Sequence, residues 1–304
     1  MFELPEDVLR TLDELSESEI NSKKNQAKAY AELSKNYRDQ NYQELSFSQA
    51  IAYAQARMPA TYNVIQYVLE KFRNKGRIFS NILDIGAGVG TLKIALRNYE
   101  TNYEAVEKSD SMRKVFKKLN RDKIKIYAED FQKFRSEKRY QVVFASYFIN
   151  EIKDKDAALK KLFDLAEQYV FIIEPGTPNG FKNITEAKKL ANQLGWYPLL
   201  PCASIECNLR VGDWCHFSIR VPRTKLHTNL KNATLPYEDE KFCYVIFSKQ
   251  ETELYNNNII IKRPIKKSGH TIFDICSKQG IQRIVRTDKL SKKLHWGDQI
   301  PNEN

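Results

Sequence analysis

Seven residues constrain this chain more than any others: Asp84-Ile85-Gly86-Ala87-Gly88-Val89-Gly90, set between the apolar Ile82-Leu83 and Thr91-Leu92-Lys93-Ile94-Ala95-Leu96. The pattern predicts a strand, a tight glycine turn and a helix. Glycines at alternate positions remove the Cβ atoms that would keep backbone away from a ligand, and they permit the positive φ values that such a turn requires. The loop is therefore a candidate floor for a nucleotide-like cofactor.

Spacing narrows the choice of cofactor. A dinucleotide fingerprint places its third glycine three residues after the second, where a helix N-terminus meets a pyrophosphate. Here Gly86, Gly88 and Gly90 alternate and Asp84 lies two positions upstream. That form resembles the loop of class I S-adenosylmethionine methyltransferases, whose cofactor carries no phosphate. Asn102 to Val106 reads as a second strand ending at Glu107, placed to accept hydrogen bonds from ribose hydroxyls. A third strand, Ile124 to Ala128, closes on Glu129-Asp130-Phe131, where Asp130 would meet an adenine amino group and Phe131 would lie under the ring. The competing structural explanation is that Glu107 and Asp130 are surface acids at strand ends.

At 304 residues, with 42% hydrophobic and 29% charged content, the chain can bury one large core or two modest ones. It contains no run of eighteen apolar residues, and Met1 to Leu12 carries acids rather than a basic, then apolar, leader. The expected setting is a bacterial cytoplasm, without membrane attachment, ahead of a mitochondrial matrix; a monomer is expected. The net charge of +11 is uneven, because Tyr255 to Asn304 holds ten Lys or Arg against four Asp or Glu. A basic surface of that kind attracts nucleic-acid phosphates in a salt-dependent way, although it can also be a solvated face that binds nothing.

Three regions are expected. Residues 1–75 form a helical N-terminal region, with helices near Glu6 to Leu15, Ser22 to Tyr37, Ser46 to Arg57 and Ala60 to Arg73. Residues 76–250 form the α/β domain, a Rossmann-like, mostly parallel sheet with strands at Asn81 to Ile85, Asn102 to Val106, Ile124 to Ala128, Gln141 to Ser146 and Tyr169 to Glu174. Ser109 to Leu119 and Ala157 to Glu167 are the amphipathic helices between them, and Phe242 to Phe247 is a buried strand late in the same sheet. Residues 251–304 form a small basic β appendage, with pieces at Asn258 to Lys262, His270 to Cys276 and Ile281 to Arg286.

All five cysteines lie in the last third, and Cys202, Cys207 and Cys215 are spaced C-x4-C-x7-C within a Cys-rich segment at 200–220. Clustering of this kind points to metal or catalysis before disulfides. Cys276 is the better fourth ligand, since Cys243 sits in Phe242-Cys243-Tyr244-Val245-Ile246-Phe247, where a small buried thiol simply packs. Four thiolates hold either zinc or an iron-sulfur cluster, and His216 and His270 keep a Cys3His zinc site open. A metal there would pin the appendage to the α/β domain. A Pro201-Cys202 pair also resembles the nucleophile of cytosine C5 enzymes, a role that competes with metal ligation.

Three further strings carry a more specific resemblance: Glu174-Pro175-Gly176-Thr177-Pro178-Asn179-Gly180-Phe181, then Pro201-Cys202 onward to Asp213-Trp214-Cys215-His216-Phe217-Ser218, then Leu235 to Phe242. With Trp296-Gly297-Asp298 they resemble the Rsm family, the methyltransferase-like proteins of the mitochondrial small ribosomal subunit and their bacterial relatives. The resemblance implies a class I methyltransferase fold, action on the small ribosomal subunit and its rRNA, and a [4Fe-4S] cluster on Cys202, Cys207, Cys215 and Cys276. The segment Pro-Cys-Ala-Ser-Ile-Glu-Cys departs from the family pattern by lacking a proline and histidine after the first cysteine.

Acceptor chemistry would lie at the end of the fourth strand, where Tyr147 could orient a base and Asn150 and Glu151 could accept hydrogen bonds from an acceptor amine. No Asn-Pro-Pro-Tyr loop is present. Arg220, Arg223, Lys225 and His227, with Lys262, Arg263, Lys266 and Lys267, are the candidate phosphate-gripping residues, and Trp214 and Phe217 could stack on an unpaired base. Three functions remain open: an rRNA methyltransferase, a non-catalytic subunit assembly factor, and a small-molecule methyltransferase.

Overall fold

The computed structural model describes residues 2–19, 28–32, 35, 44–120, 122–202, 204–207, 209, 212–223, 228, 234–251, 258–277 and 279–300. Most of the predicted helix Ser22 to Tyr37 falls outside them, as do Lys225 and His227.

Helices α1 (Glu6–Glu19), α2 (Phe47–Ala56) and α3 (Met58–Arg73) precede the sheet. Ser46 begins α2 with a capping box, its side chain accepting the Gln49 N–H while the Gln49 side chain accepts the Ser46 N–H, which satisfies two donors that a helix start leaves free. Pro59 in the first turn of α3 lets that helix begin directly after α2.

Eight strands make the central sheet: β1 (Asn81–Ile85), β2 (Asn102–Val106), β3 (Lys125–Tyr127), β4 (Tyr140–Ser146), β5 (Ala166–Pro175), β6 (Tyr197–Leu200), β7 (Phe217–Pro222) and β8 (Tyr237–Ser248). Their order is β3-β2-β1-β4-β5-β8-β6, with β7 also paired to β8. Strands β3 to β5 are parallel, whereas β8 runs antiparallel to β5 and β6. This is the expected α/β, class I methyltransferase arrangement, with a reversed strand inserted late.

Alternation along the strands divides the core. In β5, Phe171 and Ile173 face the N-terminal helices, while Val170 and Ile172 face α6 (Lys155–Leu165) and α7 (Pro178–Gln193). Phe171 stacks on Phe144 at 5.1 Å and meets Phe72 of α3 edge-on at 5.0 Å. Helices α4 (Thr91–Ala95) and α5 (Asp110–Leu119) complete the first face. The sequence pattern did not announce α7, β6 or β7. Helix α7 starts where Thr177 caps the Gly180 N–H and Pro178 supplies a fixed φ, so the Glu-Pro-Gly-Thr-Pro string is a strand-to-helix junction.

A second sheet of five strands, β9 (Asn258–Ile260), β10 (Ile265–Lys266), β11 (Thr271–Ser277), β12 (Gly280–Arg286) and β13 (Gln299–Ile300), encloses a small core of Ile260, Phe273, Ile275 and Ile300. One tether to the rest of the chain runs along α3 and the turn that follows it. The Tyr67 hydroxyl reaches the Trp296 carbonyl at 3.5 Å, Lys71 pairs with Asp298, and Lys75 Nζ donates to Gln299 Oε1 at 2.6 Å. Tyr67 and Lys71, four apart on one face of α3, and Lys75 just past its end together hold the Trp-Gly-Asp-Gln segment. Gly297 is required there: its φ is +87°, and a Cβ would fall 2.0 Å from the Tyr67 hydroxyl. Attachment of the C-terminal sheet thus does not depend on the cysteines alone.

Candidate functional site

A cleft of about 400 Å³ opens at the carboxyl ends of β1, β2 and β4. The glycine loop forms one wall, and its glycines have different tasks. Gly86 (φ +67°) packs against the Phe148 ring, which a Cβ would approach to 2.5 Å; Gly90 (φ +81°) packs against Phe116, where a Cβ would come within 2.6 Å. Gly88 (φ +55°) faces open space, with no atom nearer than 4.0 Å to a Cβ. Gly86 and Gly88 therefore border the cleft, whereas Gly90 serves helix packing and does not line it. The N–H groups of Gly86 and Ala87 both donate to the Val106 carbonyl, at 2.9 and 3.2 Å, which fastens the loop to the end of β2.

Glu107 follows directly. Its Oε2 accepts the Gly88 N–H and its Oε1 accepts the Ser109 N–H, both at 2.8 Å, and burial pushes its pKa up. Each carboxylate oxygen keeps a second lone pair, so the group can still accept from ligand hydroxyls. Asp84 lies beneath the cleft rather than in its wall. It is 1% exposed, accepts from the Tyr103 hydroxyl at 2.5 Å through Oδ2, and leaves Oδ1 buried without a partner. Burial raises its pKa to about 7, against the lowering effect of that hydrogen bond. Asp130 and Phe131 also line the cleft; Asp130 accepts the Gln132 N–H at 2.8 Å and pairs with Lys108 at 3.7 Å, while Phe131 meets Phe148 edge-on at 5.5 Å.

At the end of β4 the acceptor candidates separate. Tyr147 lines the cleft with φ +57°, a left-handed conformation rare for a side chain of its size, and its hydroxyl is buried with no hydrogen-bond partner. Glu151 also lines it. Asn150 does not; its Oδ1 accepts from the Asn179 amide at 2.5 Å.

Two contributions escaped the sequence. Glu174, fully buried, accepts the Ile149 N–H at 3.1 Å and the Asn183 amide at 2.8 Å, which anchors the loop after β4; burial lifts its pKa to about 8. A buried acid inside an otherwise apolar strand was the available signal. Glu44, Leu45 and Tyr53, from the N-terminal region, close the cleft from the other side, and only the tertiary fold brings them there.

Cys202, Cys207, Cys215 and Cys276 all border a second cavity, of about 430 Å³, bounded by residues of α7, by described residues between β6 and β7, and by the C-terminal sheet. Cys243 borders it too, but its thiol is committed to the Cys215 carbonyl at 3.1 Å. Lys188 of α7 reaches in, donating to Cys202 Sγ at 3.3 Å and lying 3.9 Å from Cys207 Sγ. Burial raises the pKa of Cys207 and Cys215, and that of Cys276 to about 11. Among the described residues no three His, Cys, Asp or Glu side chains form a group that could hold one metal ion: the thiols share a cavity wall without meeting at one point. His216, between Trp214 and Trp296, borders the cavity, whereas His270 does not.

The basic residues divide as well. Arg220, Arg263 and Lys266 share one groove of about 900 Å³ with Lys71, His295 and Trp296. Arg220 and Arg263 both pair with Asp239, at 3.0 and 3.7 Å. Arg223 is paired with Glu238 at 3.4 Å and Lys262 with Asp274 at 3.6 Å, away from the groove, and Lys267 is exposed outside it. Trp214 is held by a 3.1 Å bond from Nε1 to the Gly176 carbonyl, and Phe217 is core, 2% exposed, so Phe217 is not available for base stacking. Among the described residues no helix is long and apolar enough to cross a membrane.

Solved structures with a related arrangement include a Pyrococcus horikoshii protein provisionally described as an RNA methyltransferase, 19% identical over 62% of this chain and 81% of that one, with a TM-score of 0.42. Magnesium protoporphyrin IX methyltransferase from Synechocystis is 11% identical over 71% and 90%, also at 0.42. The plantazolicin methyltransferase BpumL is 13% identical over 80% and 99%, at 0.44. Likenesses this distant say nothing about ligand or substrate. Comparison with curated proteins gives no match. The family model described as mitochondrial small ribosomal subunit Rsm22, in contrast, matches residues 47–301, which takes in the cleft apart from Glu44 and Leu45, the cysteine cavity and the C-terminal sheet, and the chain belongs to that family.

Proposed function

We propose that this protein binds S-adenosylmethionine and acts on the small ribosomal subunit, methylating its rRNA. The observation that carries the proposal is the cleft at the strand ends, where Gly88 leaves open space, Glu107 presents a fixed carboxylate, and Asp130 and Phe131 share the lining. Those groups suit a ligand with a ribose and an adenine ring and no phosphate. Glu107 would hold the ribose hydroxyls and Asp130 the adenine amine. Tyr147 and Glu151, at the cleft edge, would receive the acceptor base.

The family name supplies the partner, and the groove with Arg220, Arg263 and Lys266 is the surface that suits RNA phosphates. In the second cavity, Cys202, Cys207, Cys215 and Cys276 would hold a [4Fe-4S] cluster, with zinc as the alternative. What supports the reading is that all four cysteines border one cavity, as ligands of a shared centre must. Such a centre would add binding free energy to the fold where α7 meets the C-terminal sheet.

A scaffold without turnover is the second reading. It is favoured by Asn150, which lies outside the cleft lining with its Oδ1 accepting from the Asn179 amide. Incubating the purified protein with labelled S-adenosylmethionine and small subunits from cells lacking it separates the two. Label in the rRNA supports the enzyme; tight, salt-sensitive subunit binding without label supports the scaffold; neither label nor subunit binding would leave a small-molecule methyltransferase.

A further inference from the structure

Lys188 is placed where a lysine is costly. The buried face of α7 consists of Gly180, Asn183, Ile184, Ala187, Lys188 and Ala191, so this ammonium occupies an apolar stripe, and the residue is 2% exposed. Its nitrogen donates to the Ser204 carbonyl at 3.0 Å and to Cys202 Sγ at 3.3 Å, with Cys207 Sγ at 3.9 Å. Among the described residues no carboxylate pairs with it. A desolvated ammonium whose polar contacts among the described residues are one carbonyl and cysteine sulfurs has no carboxylate as counter-charge, and a fold does not retain that arrangement cheaply.

We infer that Lys188 is the built-in counter-cation of an anionic metal–thiolate centre bordered by Cys202, Cys207, Cys215 and Cys276. The inference rests on the proposal that these cysteines hold metal, and it adds a role to a residue that is not a ligand. Four thiolates outweigh the charge of zinc or of an oxidised [4Fe-4S] core, so the loaded site is a net anion next to a fixed cation. Charge-assisted N–H···S contacts strengthen as the sulfur gains electron density. Lys188 thus selects the loaded state over the metal-free one, and it favours the reduced form of a redox-active centre, because an added electron lies close to its charge.

The test uses the full-length wild-type protein with Lys188→Met and Lys188→Arg, purified without oxygen. Methionine keeps the length and apolar stem without the charge; arginine keeps the charge. Three quantities are read: iron, sulfide and zinc content; the rate of metal loss to a chelator, with the midpoint potential where iron is present; and the melting temperature of the metal-free form. The inference predicts that Lys188→Met loses metal several-fold faster, shifts the potential to more negative values, and yet melts higher than wild type when both are metal-free. Lys188→Arg retains metal close to wild type. If the centre is zinc, the rate of metal loss decides.

A lysine with a purely structural role would give the opposite sign in the metal-free comparison, and that result, or an unchanged rate of metal loss in Lys188→Met, overturns the inference. Wild-type protein free of both iron and zinc overturns the metal reading itself, and the inference with it. That failure is distinguishable because it is seen before any variant is compared.

Discussion

The backbone N–H of Gly88 donates to Oε2 of Glu107 at 2.8 Å, so the glycine loop after β1 and the acid after β2 are one rigid unit. The acid's other oxygen holds the Ser109 N–H at the same distance, at the start of α5. Glu107 is therefore both a candidate ribose ligand and the tie between two loops.

Replacing Glu107 separates those tasks. Glu107→Leu leaves two backbone donors without their acceptor, a loss of about 1–3 kcal/mol for each group that stays buried, while Glu107→Gln keeps an oxygen for one of them. Denaturant unfolding should show the leucine variant clearly destabilised and the glutamine variant much less so. Equal stability of the two would mean that the carboxylate does not organise the loops.

Asp84 makes a prediction in pH. Its folded pKa, near 7, lies above the ordinary value of 3.8 because burial penalises the carboxylate. Between those values the folded chain binds a proton that the unfolded chain has released. The stability contributed by this group is complete below pH 4 and is lost as pH rises through 7, by up to the order of 4 kcal/mol. Asp84→Asn, which keeps an oxygen for Tyr103, removes that dependence. The difference in unfolding free energy between variant and wild type should shift in the variant's favour from pH 4 to 7, and a constant difference would show that Asp84 is ionised throughout.

Gly297 tests the metal-independent attachment of the C-terminal sheet. Gly297→Val forces a side chain into the space of the Tyr67 hydroxyl at a φ that L residues rarely adopt, a cost on the order of 1–3 kcal/mol from backbone strain alone. Hydrogen exchange should rise across β9 and β13 while the protection of β1 and β4 persists. Unchanged exchange in β9 would place the tether elsewhere.

Much of this organisation was legible in the chain. Strand alternation, the glycine loop and the acids at 107 and 130 are local patterns, and local patterns survive into the fold. What was not legible is what each residue meets across the chain. Gly88 and Gly90 are equivalent in the string, yet one faces a cleft and the other Phe116, because α5 returns over only one of them. Asn150 looked available until α7 brought Asn179 against it. Arg220 and Arg263 look like free cations in sequence, and both share Asp239 in space. Lys188 gave a signal that could have been read: a lysine within an apolar helical stripe, beside a cysteine-rich loop.

The central claim is that the cleft above Gly88 is an S-adenosylmethionine site, and isothermal titration of the cofactor into the wild-type protein and Gly88→Val tests it most directly. A valine there projects into open cleft rather than into protein, so the variant should fold, at a cost of about 1–3 kcal/mol for the left-handed backbone. Wild type should bind one equivalent of cofactor, and the variant should lose at least tenfold in affinity, about 1.4 kcal/mol or more. A wild-type protein that takes up no cofactor, or a folded Gly88→Val that binds it as tightly as wild type, would contradict the account.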